Sequence, residues 1–192
     1  MSEPLVSAQS GNREGGPAFS LGSRAYRAVW QVAWTLLAAW TPPPLHAWRA
    51  AVLRAFGARI GANCRIYASV RIWDPRNLLV GSNVMVGPGA HLYNQGAIRI
   101  GNDVVISQRA HLCASTHAID DWHFQLRLRP IAIGDQCWIA AEAFVGPGVT
   151  MGRGAVLAAR GVLFGDAEAW GVYRGNPASL VKTRPVLSET DA

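Results

Sequence analysis

From Ile60 to about Leu163 an aliphatic residue returns at every sixth position, most often with Gly, Ala or Ser directly behind it. The anchors run Ile60, Ile66, Ile72, then Val80, Val86, Leu92, then Ile100, Ile106, Leu112. After a longer gap they resume as Ile133, Ile139, Val145, Met151, Leu157 and Leu163. Four residues beyond many of them sits a second small or β-branched residue, among them Cys64, Val70, Val84, Ala90, Val104, Ala110, Val149 and Ala155. A period of six fits neither an α-helix nor simple strand alternation. It fits a solenoid with three flat faces per coil, each face a short strand and a turn, so that about eighteen residues close one coil. Every anchor then points inward and stacks on the anchor of the next coil. The Gly or Ala behind it is expected at a corner that needs positive φ or minimal bulk.

The hexads count to about five coils, a prism roughly 24 Å tall at the usual strand spacing. Two-residue slips fall between Ile72 and Val80 and between Leu92 and Ile100. The large interruption, residues 118–130, is expected to be a protruding loop. A lone long loop on a regular scaffold is a place to look for function.

The flanks read differently. Residues 1–23 lack periodicity and are expected to be a disordered leader. Residues 24–57 predict a helical cap. Within it, Ala25–Trp40 is a dense apolar helix ending at Pro42-Pro43-Pro44, and His46–Phe56 is a second helix. The second helix carries Trp48, Val52, Leu53 and Phe56 on one side, with Arg49 and Arg54 on the other. Such a cap covers the open end of the first coil. The first helix falls short of a membrane span. It is expected to pack on the solenoid or a neighbouring subunit, with peripheral contact between residues 25–40 and a membrane as the alternative. The solenoid proper spans residues 58–165. A C-terminal extension, 166–192, follows where the hexads fade.

Composition narrows this only a little. The chain has 192 residues, half of them hydrophobic and 16% charged, which excludes wholesale disorder. The net charge of +6 and pI near 9.9 suggest an anionic partner. The arginines are scattered and no RNA or DNA motif accompanies them, so nucleic-acid binding is not expected. Cys64, Cys113 and Cys137 form no CxxC pair. Cys64 and Cys113 read as small structural residues in a reducing, cytoplasmic setting.

The hexads, the run Ala140-Ala141-Glu142-Ala143-Phe144-Val145-Gly146-Pro147-Gly148-Val149 and the ending Gly175-Asn176-Pro177-Ala178 resemble the hexapeptide-repeat acyltransferases. Among these the likeness is greatest to the colanic acid or exopolysaccharide type of O-acetyltransferase. It covers roughly Pro44 to Lys182. It implies an all-β solenoid wound as a left-handed parallel β-helix, a hand that the general rule for parallel crossovers does not supply. It also implies a homotrimer, acetyl-CoA as acyl donor and a sugar as acceptor.

Of five histidines, His46 lies in the cap, while His91, His111 and His117 share the slot just before an anchor. His117 stands at the base of the protruding loop, and the resemblance makes it the catalytic base. A neutral imidazole has a pKa suited to accepting a hydroxyl proton near pH 7. Its other ring nitrogen needs a partner, for which Asp120, Asp121, Glu142 or a backbone carbonyl are the candidates. The resemblance also assigns Trp138, Ala141, Ala159 and Lys182 to the cofactor, with Arg184 as a second phosphate partner. It places the acceptor near Tyr93, Asn94 and Gln95. The family's Thr-Lys-Asp turn is replaced here by Phe164-Gly165-Asp166, which leaves Arg160 or Arg174 to supply the missing phosphate contact. No metal is expected: the histidine spacing differs from that of the zinc-binding solenoids, and zinc needs at least three converging ligands. A small hydroxylated acceptor and a non-catalytic scaffold remain as other readings of the same pattern.

Overall fold

The structure, a computed structural model, describes residues 3–10 and 16–186. Every aliphatic anchor from Ile60 to Leu163 is buried, and so is the second small residue beyond it, from Cys64 to Ala155. The result is a parallel β-solenoid with three faces. Face A stacks Arg59–Ile60, Leu78–Val80, Ile98–Ile100, Ile131–Ile133 and Thr150–Met151. Face B begins at Arg65–Ile66 and climbs through Trp138–Ile139 and Val156–Leu157 to Gly171–Gly175. Face C runs from Arg71–Ile72 through His91–Tyr93, His111–Cys113 and Phe144–Val145 to Val162–Leu163.

Three expectations change. The stack holds a sixth, incomplete coil beyond the five counted: Ala167 bridges Met151 on face A, and Gly171–Gly175 pairs with Val156–Leu157 on face B. Its inward positions, Ala167 and Tyr173, replace the aliphatic hexad and so hide it. The final strand, Ala178–Thr183, folds back antiparallel on Gly171–Gly175.

Second, positive φ falls three residues after an anchor rather than directly behind it. The left-handed residues are Asn63, Asn83, Asp103 and Gln136 on the edge between faces A and B, and Arg109, Glu142 and Arg160 on the edge between B and C. Asn and Asp tolerate that region better than other non-glycine residues. They also stack: Asn63 donates to Asn83 at 3.3 Å and Asn83 to Asp103 at 2.9 Å. The Gly behind the anchor is there for want of space. A Cβ on Gly61 would sit 2.5 Å from the Gly81 carbonyl, and one on Gly81 would sit 2.6 Å from the Gly101 oxygen.

Third, parts of the segment expected to be a disordered leader make specific contacts. Phe19 is buried against Trp73 at 4.9 Å, and Ser20 caps the first helix through its hydroxyl. The Leu5 amide donates to the Ala18 carbonyl. A single aromatic plug carries no period, so the sequence gives no sign of it.

The cap is a helical hairpin, α1 (Leu21–Leu37) and α2 (His46–Ala55), laid across the first coil. Trp30 is the inward plug: its indole N–H donates to the Ile72 carbonyl at 2.9 Å, and its ring packs on Trp34 and Phe56. The expected faces of α2 are corrected. Arg49 is fully buried while Trp48 is exposed. The Arg49 guanidinium donates to the carbonyls of Ile66, Pro42 and Pro43 and to the Thr41 hydroxyl, at 2.6–3.0 Å. The prolines of the turn bring no N–H donors of their own, and Arg49 supplies donors to their carbonyls. Burial lowers its pKa, yet guanidinium stays charged in proteins.

Arg49→Leu should therefore cost about 2–4 kcal/mol, because it orphans several buried carbonyls at once. Thermal denaturation is the check, with an expected fall in Tm of roughly 5–15 °C. An unchanged Tm would mean that the cap is not latched through this residue.

Candidate active site

The three lowest passages along the edge from face C to face A all carry extra residues. The first holds a 3-10 turn, Pro75–Asn77, the second the slip at residues 94–97, and the third a β-hairpin. The hairpin starts earlier than the expected loop and is more ordered. Ser115–His117 pairs antiparallel with Leu126–Leu128, so His117 sits on a strand opposite Leu126. The Arg129 amide closes its base on the Ala114 carbonyl.

His117 is exposed at the end of that strand. Its Nδ1 lies 2.8 Å from the Phe124 carbonyl, and its ring stacks on the Phe124 ring at 4.2 Å with 9° between planes. A carbonyl only accepts, so Nδ1 carries the hydrogen and Nε2 keeps its lone pair. Among the partners considered from the sequence, the backbone carbonyl is thus the one used. Asp121 spends its side chain on the His123 amide. Glu142 lies on another edge, paired with Arg160 at 2.7 Å and Arg109 at 3.3 Å, and the Arg160 hydrogen bond holds its carboxyl below the usual range. Asp120 lines the 320 Å³ hollow beside His117, together with Thr116, Arg127 and Arg129.

Phe124 holds this arrangement with φ of 49°, and its neighbour Gln125 is anchored from outside the hairpin. The Gln125 side chain accepts from the Ser7 amide and hydroxyl and donates to the Leu5 carbonyl. Neither Phe124 nor Gln125 belongs to any repeat, so the sequence offers no signal for them.

The four residues expected to meet the cofactor converge. Trp138, Ala141, Ala159 and Lys182 all line one groove of 550 Å³ along face B and its edge with C. That volume lies within the range of small-molecule sites. The Trp138 indole is oriented by its N–H donating to the Ser107 hydroxyl at 3.0 Å. Lys182 reaches the groove because Val172 pairs with it in the final antiparallel strand. Arg184 also lines the groove, but its guanidinium is committed to the carbonyls of Gly154 and Gln136. Arg160 is held by Glu142, whereas Arg174 is exposed. In the departing turn, Asp166 accepts from the Thr150 amide and Phe164 packs on Phe144.

The acceptor residues divide. Asn94 is wholly buried; its side chain accepts from the amides of Trp73 and Asp74 and donates to the Asp74 carbonyl. It staples the slip and, wholly buried, presents no surface to a ligand. Gln95 donates to the Tyr93 hydroxyl at 2.9 Å, and Tyr93 meets Trp73 edge-on at 6.3 Å. His91 and His111 stack face to face, 4.6 Å apart. Among the described residues no His, Cys, Asp or Glu cluster could hold a metal ion. Burial pushes the Cys137 thiol up to about 11, so it is no thiolate at neutral pH.

No family model matches the chain. It is 43% identical over 156 residues, 81% of its length, to an Escherichia coli K12 protein named for colanic acid biosynthesis and acetyltransfer, and it covers 86% of that protein. The chain belongs to the colanic acid type of hexapeptide-repeat acetyltransferases. The galactoside O-acetyltransferase of the same organism is 24% identical over 140 residues, 70% of this chain and 68% of that one. A solved hexapeptide-repeat acetyltransferase of Vibrio cholerae superposes with a TM-score of 0.78 at 20% identity, over 85% of this chain and 93% of that one. A galactoside acetyltransferase in complex with coenzyme A also gives 0.78 at 20% identity, over 85% of this chain and 83% of that one. These solved structures share the fold.

Two outcomes follow for this family member. Asn94→Ala should lower stability by about 1–3 kcal/mol, since it strips the buried Asp74 of partners for its amide and carbonyl; a denaturant midpoint left unmoved would contradict its role as a staple. Burial lowers the pKa of both His91 and His111, and for His91 the neighbouring His111 and Arg71 add to it. Below their ordinary value of 6.5 the unfolded chain takes up protons that the folded one refuses. Stability should then fall as pH drops through 6.5 and level off below the lowered folded values. Tm recorded between pH 7.5 and pH 5 (roughly spanning the unperturbed value) should show that slope, and His91→Gln should flatten it.

Proposed function

We propose that the protein transfers the acetyl group of acetyl-CoA to a hydroxyl of a sugar in polysaccharide biosynthesis, in one direct step with His117 as general base. The observation that carries this is the pinned tautomer: the Phe124 carbonyl claims Nδ1 and leaves Nε2 with its lone pair. Nε2 accepts the hydroxyl proton as the sugar oxygen attacks the thioester carbonyl carbon. The tetrahedral intermediate collapses, the carbon–sulfur bond breaks, and the imidazolium returns the proton to the leaving thiolate. Backbone N–H groups at a coil corner are the natural donors to the oxyanion. No acyl-enzyme is needed, in keeping with the raised pKa of Cys137.

Coenzyme A fits the groove of Trp138, Ala141 and Ala159. The small corner residues let a narrow arm run against the backbone, and Lys182 at the mouth offers a cation to a phosphate. Solved relatives of this fold carry coenzyme A or acetyl-CoA. The acceptor surface reduces to Tyr93, with Trp73 beside it, because Asn94 and Gln95 are both withdrawn into the wall. The name of the Escherichia coli relative supports a glycan over a small hydroxylated compound.

The hairpin and the groove lie on different edges of the prism, and neither hollow includes residues of the other. A site uniting His117 with the cofactor therefore takes its halves from two chains. A homotrimer, with three such clefts, is the closed arrangement we favour. The exposed outer face of α1 supports peripheral contact with a membrane surface.

His117→Ala should lower the acetyl transfer rate by about 10²–10⁴-fold with little effect on the KM for acetyl-CoA. A free-thiol assay with sugar acceptors reads this directly, and an undiminished rate would end the general-base assignment. Co-expressing His117→Ala with Lys182→Glu chains tests the shared cleft. Random assembly regenerates intact clefts at roughly a quarter of positions, so mixed trimers should recover activity that neither variant shows alone. Recovery at the level of the separate variants would place each site within one chain.

A further inference from the structure

We infer that the capped end of the prism is a two-part docking surface for an anionic lipid bilayer, apolar at α1 and basic around the first coil. The inference rests on the peripheral contact read above and adds to it the lipid charge, the seat and the orientation.

Helix α1 is apolar on two opposite sides. One side, with Tyr26, Trp30 and Trp34, packs on the solenoid. The other carries Leu21, Val29, Val32 and Leu36, which are 59–77% exposed and separated by helical spacings. A helix hydrophobic on both sides normally has both covered. The outer patch continues past the helix end through Leu37, Trp40, Leu45 and Trp48, all exposed. The two indoles keep their N–H groups satisfied on the Leu36 and Leu37 carbonyls, so the rings present carbon outward.

Charge selects the occupant. From Leu21 to Trp73 every formally charged side chain is an arginine, and no Asp or Glu occurs. Arg59, Arg65 and Arg71 occupy the outward position of the first strand on each of the three faces, and all are exposed. They form a collar one level above the cap, with Arg24 exposed on the flank of α1. Two copies of this end brought together would oppose like charges. A surface of anionic headgroups over hydrocarbon matches both parts. With 17 residues, α1 is about 25 Å long, short of the roughly 30 Å hydrocarbon core, so it lies in the surface. Among the described residues no helix is long and apolar enough to cross a membrane. Docked this way, the prism stands on its cap, with the His117 hairpin leaving the third coil about 10 Å above the first.

The test is flotation of the full chain with vesicles of phosphatidylcholine alone or mixed with phosphatidylglycerol. The protein should float with the anionic vesicles and bind phosphatidylcholine at least ~10-fold more weakly. Val29→Glu/Val32→Glu should abolish flotation while leaving Tm and acetyl transfer to a soluble sugar unchanged. Leu36→Ser, a milder change on the same face, should weaken it. Arg24→Glu/Arg59→Glu should erase the preference for phosphatidylglycerol. Equal binding to both vesicles would overturn the anionic selection while sparing membrane contact. No binding to either, or a loss of oligomer by light scattering in Val29→Glu/Val32→Glu, would overturn the docking surface and assign the face to contacts between copies. Acetyl transfer, measured separately in solution, reports on the enzymatic reading whichever way flotation turns out.

Discussion

The close passage of one coil over the next governs this molecule. Along the edge between faces A and B the backbone of each coil occupies the space where a side chain on the coil below would begin, as at Gly61 under Gly81 and Gly81 under Gly101. Such an edge has no slack. Extra residues can enter only where the chain turns from face C back to face A, and there the lower three coils carry them. Each insertion frees backbone groups that the ladder no longer pairs, and buried groups of that kind must find partners. Asn94 takes the Asp74 amide and shares that of Trp73 with the Leu92 carbonyl, and Asn77 gives to the carbonyls of Asn94 and Gln95. The edge able to deviate is the one that bears the hairpin, so tight stacking elsewhere decides where a side chain can be projected out of the wall.

What could be read from the sequence follows from the same constraint. Stacking repeats itself, and a repeated demand leaves a periodic record: every anchor from Ile60 to Leu163 is buried where the six-residue spacing puts it. The sixth coil escaped because Ala167 and Tyr173 fill the interior without the aliphatic-glycine pair. Polar residues were harder, since their place depends on partners far along the chain. Arg49 belongs by pattern to the outer side of its helix, yet it is buried because the proline turn and Ile66 present carbonyls to it. Asn94 at a corner reads as open to a ligand, whereas here the amides of Trp73 and Asp74 and the Asp74 carbonyl across the edge take up its side chain. The residues that line the groove on face B are easier to place. Trp138, Ala141 and Ala159 are tied to coil positions, so placing the coils places them, and Lys182 arrives with the returning strand.

Arginine shows how little composition alone can say. One residue type serves as a buried latch at Arg49, as a cation over the Trp73 ring at Arg27, and as an exposed collar at Arg59, Arg65 and Arg71. The net charge counts them equally. Only the contacts separate the arginine that holds the cap together from those left facing outward.

At His117 the partner of Nδ1 is a backbone carbonyl rather than a carboxylate. A carbonyl only accepts, so it fixes the tautomer with the hydrogen on Nδ1 and orients the ring. Of the acids considered as its partner, Asp120 and Asp121 line the hollow beside the imidazole. Asp121 is turned into its own loop, and Glu142 is neutralised by two arginines on another edge. The cost is that orientation depends on backbone, and a backbone carbonyl is only as well placed as its loop. Phe124 answers that by stacking its own ring on the imidazole, and Gln125 by tying the next residue to the N-terminal segment. The imidazole is thus positioned by a left-handed residue whose ring stacks on it and whose neighbour is tied to the N-terminal segment.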